Sequence, residues 1–140
     1  MKLKSMKVNS AAIEAGRWVD DIPDMEDLRL HVRGIDNRDY RALQTRLIET
    51  IPRERRLRGL LPEDRDRIQN ECLIETVLLG WDNVTDDDKT PVPFSKDLAR
   101  QMIEDPDMAR FRGAVVWAAA LVSEENAADQ KAAEGNSPTP

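Results

Sequence analysis

A chain of 140 residues with 40% apolar and 34% charged side chains has material for one domain with a modest core. Its formal charge of −6 excludes nucleic-acid binding through a broad cationic surface, and its single cysteine excludes an internal disulfide and points to a reducing compartment. No run approaches the roughly 18 consecutive apolar residues of a membrane span, and the lysine-bearing start lacks the apolar stretch of a secretory signal, so a cytoplasmic protein is expected.

Residues 1–12 read as a flexible N-terminus, residues 13–122 as a single helical domain opening on strands, and residues 123–140 as a disordered acidic tail. In "RWVDDIPDMEDLRLHVRGI", Leu28, Leu30 and Val32 alternate with Arg29, His31 and Arg33. A period of two marks a half-buried strand. "RWV" reads as a shorter strand before a turn, so the two make a β-hairpin. A lone hairpin is marginal in water and must pack on something else. His31 falls on the polar side of the strand.

"DNRDYRALQTRLIETIP" reads as a helix capped by Asp36 or Asn37, with Tyr40, Leu43, Leu47, Ile48 and Ile51 on one face. Pro52 marks its end. "RERRLRGLLP" is a mixed-charge connector with at most a helical turn. Its arginines stand among Glu54, Glu63, Asp64 and Asp66, which reads as a solvated surface rather than a phosphate site. Pro62 then opens a second helix, with Glu63, Asp64 and Asp66 at its positive end. Ile68, Cys72, Leu73, Ile74, Val77, Leu78 and Leu79 make its later half apolar almost all round, as in a central buried helix, with Gly80 as the stop. Cys72 reads as a small buried hydrophobe.

"GWDNVTDDDKTPVPFS" follows, Gly80 to Ser95. Its four aspartates, Asp82, Asp86, Asp87 and Asp88, fit a helix–loop–helix calcium site poorly. Counting from Asp82 places Val84 at a ligand position, counting from Asp86 places Pro91 where a glycine is needed, and no closing glutamate follows. Solvated turn acids account for "DDDK" more simply. The prolines make "PVPF" extended. The loop is expected to be a rigid connector with Trp81, Val84, Val92 and Phe94 tucked over the helices. Those four side chains are also the candidate partner-binding residues, as the edge of a pocket.

Ser95 caps a third helix, "KDLARQMIED", with Leu98, Met102 and Ile103 inward and Pro106 beyond its end. The fourth helix runs from about Asp107. Phe111, Val115, Ala118 and Val122 form its stripe, widened by Trp117 and Leu121. The expected fold is therefore mainly α, about four helices with an N-terminal β-hairpin. With one histidine, one cysteine and no glycine-rich phosphate cradle, the chain lacks the usual zinc, nucleophile and nucleotide constellations. Neither an enzyme nor a cofactor is expected.

"ETVLLGWDNVTDDDKTPVPFSKDLARQMIEDP", Glu75 to Pro106, resembles the tail assembly chaperones of long-tailed bacteriophages and prophages. Leu78, Trp81, Pro91, Pro93, Phe94, Ser95, Leu98 and Ala99 carry the likeness. "LRLHVRGIDNRDYRALQTRL" and "FRGAVVWAAALV" are similar to that family's opening and last helix. Lys89-Thr90 stands where similar sequences often place a glycine, which leaves the turn type open. The resemblance implies a non-enzymatic protein of the host cytoplasm that binds the tape measure protein, and the tail tube protein as a further client, and keeps them soluble during virion assembly. The negative charge and the lack of a long apolar run point to neither nucleic-acid nor membrane partners, and homo-oligomer formation stays open. The alternatives are a virion structural component such as a tail-completion or connector protein, and a small metal-dependent regulator using the loop acids.

Overall fold

The computed structural model describes residues 1–125. The expectation of a disordered tail falls largely on residues 126–140, outside the described residues. After a 3-10 turn at Leu3–Met6, the order is α1 (Ser10–Ala15), β1 (Arg17–Val19), β2 (Arg29–Val32), α2 (Arg38–Glu49), α3 (Arg53–Leu57), α4 (Pro62–Cys72), a π-helical turn (Leu73–Val77), β3 (Leu78–Asp82), α5 (Lys96–Glu104), a 3-10 turn (Pro106–Met108) and α6 (Ala109–Glu124). The chain is mainly helical around a small antiparallel sheet of order β1-β2-β3. Among the described residues no helix is long and apolar enough to cross a membrane.

The hairpin forms as its alternation requires. Trp18 pairs with His31 and Val19 with Leu30, and Leu28, Leu30 and Val32 are all buried. The packed fold reaches further toward the N-terminus than residue 13, because Asn9 caps α1 and Ala12 is buried. Gly34 lets β2 leave the sheet tightly against α1 and α6. A Cβ there would lie 2.6 Å from Ser123 Oγ and 2.7 Å from Ile13 Cγ2.

Of the two candidate caps of α2, Asn37 is the one used. Its Oδ1 accepts from the Tyr40 amide at 2.8 Å. Its Nδ2 donates to the carbonyls of Gly34 at 2.8 Å and Thr76 at 3.0 Å. One fully buried amide therefore ties the end of the hairpin, the start of α2 and the π turn together. Pro62 opens α4 and Ser95 caps α5, accepting from the Leu98 amide at 3.1 Å.

The largest correction concerns the long second helix expected to end at Gly80. The α-helix stops at Cys72, the chain widens into the π turn, and Leu78–Asp82 is a strand. Gly80 pairs with His31, and Trp81 pairs with Leu30. A short apolar run reads as helix or strand according to its neighbours, and here β2 supplies the neighbour. A bulge between His31 and Val32 in the pairing sets Val32 opposite Leu78, so Leu79 is the extra residue and lies exposed.

The core lies between the sheet's inner face (Val19, Leu30, Val32, Trp81), the π turn (Leu73, Ile74, Val77) and α6 (Phe111, Ala114, Val115, Ala118, Ala119, Val122). Trp117, expected to widen the α6 stripe, lies outside it at 38% exposure. Its position one turn beyond Gly113 turns it away from Val115 and Ala118.

Candidate functional site

The Gly80–Ser95 loop is a clasp. The Val92 amide donates to the Val84 carbonyl at 2.8 Å, and Thr85 bridges Pro91. Asp86 organises the tip, where its Oδ1 accepts from the amides of Asp88 and Thr90, both at 2.9 Å. This uses an aspartate as a turn builder. Among the described residues no three His, Cys, Asp or Glu side chains are arranged to hold a metal ion. Lys89 has φ of 61°, the left-handed conformation that favours glycine. Releasing that conformation outweighs the entropy a glycine adds. Lys89→Gly is therefore expected to stabilise the protein by about 0.5 kcal/mol and raise Tm by about 2 °C in a thermal melt.

The clasp closes on Trp81. That indole is 7% exposed, and its Nε1–H donates to the Val92 carbonyl at 2.8 Å. The rings of Phe94 and Phe111 meet it edge-on, at centroid distances of 4.9 and 5.9 Å. The four candidate partner-binding residues are thus brought together, but as packing. Trp81 is core, and Val84, Val92 and Phe94 are half-buried against it.

Several titratable groups are tied into structure. Arg100 binds Glu71 (2.6 and 3.2 Å) and Glu75 (2.9 Å), and Lys96 binds Glu75 at 2.5 Å, which fastens α5 to α4 and the π turn. The Arg100 hydrogen bond holds the Glu71 carboxyl below its ordinary value. Burial, with the Glu71 carboxylate adding to it, pushes the Cys72 thiol up to about 11. A thiol this high and fully buried is a poor nucleophile. Alkylation of native Cys72 is expected to run on the order of 10³-fold or more slower than in urea, measured by mass spectrometry, because it waits on opening of the fold.

On the sheet's outer face, Trp18 stacks on His31 at 5.1 Å with an interplanar angle of 16°, and the Arg29 guanidinium lies 5.0 Å from the Trp18 ring. Burial lowers the His31 pKa and favours its neutral form. Arg29 is also paired with Asp20 at 2.6 Å.

One hollow of 410 Å³ lies between α2 and the α4–π turn segment, lined by Arg46, Glu71 and Glu75, and an open apolar surface lies between the β1–β2 loop and the start of α6. Two adjoining hollows of 240 and 380 Å³ share Asp24, Met25 and Arg110. The first continues to Gly113 and Trp117, the second to Glu26, Asp107 and Met108. Arg110 reaches across to the Asp24 carbonyl at 3.1 Å. The loop wall holds Asp21, Asp24 and Glu26 at positive φ. Gly113 has nothing within 4 Å of where its Cβ would be, so the groove is open above it. A mid-helix glycine with free space weakens its helix. Gly113→Ala is expected to stabilise the protein by about 0.5–1 kcal/mol in urea unfolding.

Sequence periodicity pointed to the clasp and passed over this groove. Its walls come from two segments far apart in the chain. The available signals were a glycine inside the α6 pattern and a loop dense in acids around Pro23 and Met25.

The comparisons with known proteins bear on origin. No curated protein and no solved structure matches the chain. A family model described as YdaY prophage protein matches residues 35–136, from the start of α2 through α6 and beyond, well over half of the sequence. The chain therefore belongs to the YdaY prophage protein family.

Proposed function

We propose that this prophage protein is a non-enzymatic tail assembly chaperone, acting in the host cytoplasm, that holds an apolar segment of a tape measure protein until the tail is built. Family membership supports the phage setting. The resemblance carried by Glu75 to Pro106 supports the finer role. The groove beside α6 is the observation that carries it. Met25, Met108 and Trp117 line an open trough. Methionines adapt to varied side chains, an exposed tryptophan is a strong anchor, and a trough of this kind takes one apolar face of a helix. The acids at its rim keep a loaded complex soluble.

The test is co-expression with the tape measure protein encoded beside it, followed by pull-down and a solubility assay. A soluble complex is expected, and Gly113→Lys should abolish it without lowering the melting temperature. An insoluble tape measure protein, with this chain recovered in purified particles, would replace this reading with a virion structural component.

A further inference from the structure

The segment from Pro52 to Leu61 stands off the fold. Every residue in it except Leu60 is exposed, and α3 buries none of its side chains. Its Arg55 pairs with Asp64 at the start of α4. The arm nevertheless carries Leu57 at 77% exposure and Leu61 at 52%, set among Arg53, Arg56 and Arg58. Large apolar side chains kept in water on an arginine-rich arm call for a cover that is apolar and negative.

The groove has that character. Met25, Met108 and Trp117 supply apolar wall, and Gly113 leaves space for an incoming side chain. Asp24, Glu26 and Asp107 stand around it, and none of their carboxylates is in an ion pair among the described residues. Three carboxylates and the single Arg110, itself turned to a carbonyl, give the groove the opposite sign to the arm.

We propose that the arm of one copy docks in the groove of a second copy, with Leu57 seated above Gly113 between Met25 and Trp117 and the neighbouring arginines against Asp24, Glu26 and Asp107. The contact is heterologous: a pair joined by one arm keeps a free arm and a free groove, and further docking leads to a ring or an open chain. A ten-residue arm buries little, which places the contact in the weak class below about 1,200 Å² and makes it sensitive to salt. The proposal goes beyond the chaperone reading, because it stands whether or not a tape measure segment binds. Where both hold, the arm is a placeholder that a client displaces.

Sedimentation of the full chain over a wide concentration range tests it. The average mass should rise with concentration, and less so in high salt. Leu57→Glu removes the arm contact at a largely solvated position. Gly113→Lys fills the groove with a cation and replaces a weak helix former. Each variant alone should stay monomeric with a melting temperature no lower than the wild type's. Mixed together, they should form a pair that stops at two, since one retains a groove and the other an arm. A wild-type chain that is monomeric throughout, variants that still assemble, or a mixture that does not pair would each overturn the proposal. Leu57→Glu should keep its capture of the tape measure protein, so loss of self-association and loss of client binding are read separately.

Discussion

Trp81→Ala is expected to destabilise the protein by about 3–5 kcal/mol, as large-to-small changes do when the cavity cannot collapse. Three elements hold the indole and none can follow its removal. Leu30 is its cross-strand partner in β2, Phe111 abuts it from α6, and Phe94 closes from the clasp. The Val92 carbonyl also loses its donor. For a domain whose total stability is about 5–15 kcal/mol, this removes a large fraction of it. Trp81→Phe keeps most of the burial and loses the hydrogen bond, at about 1–2 kcal/mol. Urea unfolding of both variants checks the order. A Trp81→Ala protein with an unchanged midpoint would show that the indole is not core and return it to the partner surface.

Asn37→Asp is expected to cost on the order of 2–4 kcal/mol, about as much as Asn37→Ala, although aspartate is ordinarily as good a helix cap as asparagine. The cap is only half of what Asn37 does. Its Oδ1 would survive in aspartate and still accept from Tyr40. Its Nδ2 would be replaced by an oxygen facing the carbonyls of Gly34 and Thr76, at a fully buried position. A carboxylate there is desolvated and repelled, so it either protonates or forces the carbonyls apart. Thermal melts at neutral pH measure the loss. A value near zero for Asn37→Asp would mean that only the cap matters.

Much of this fold is legible in the sequence because local rules decide it. The alternation Leu28, Leu30, Val32 fixes β2 and its buried face. Pro62 and Ser95 place two helix starts to the residue. Asn37 was one of two equivalent caps until the structure showed which side chain has three partners. The stretch from Leu73 to Trp81 is ambiguous in the sequence for a physical reason. Its apolar run satisfies a helix and a buried strand equally, and the choice is made by β2, distant in sequence. The loop residues Trp81, Val84, Val92 and Phe94 were rightly expected to cluster, since two prolines and an aromatic pair leave few arrangements. What chain-local reasoning lacks is any sense of empty space. The groove exists because Gly113 contributes no side chain, and Trp117 was counted inward because its stripe could be drawn wider than the surface it packs on.

The π turn at Leu73–Val77 carries a consequence for how this chain tolerates insertions and deletions. Widening the helix by one turn of this kind accommodates an additional residue just before β3. Removing a single residue there would let the segment close into ordinary α-helix and would feed β3 into the sheet one position out of step. Side chains alternate faces along a strand, so Trp81 would turn toward solvent and Asp82 toward Phe111. The clasp beyond it, from Asn83 to Thr90, is exposed apart from Val84 and absorbs length changes at its tip. Length variation among related chains is therefore expected after Trp81 and not in the few residues before it.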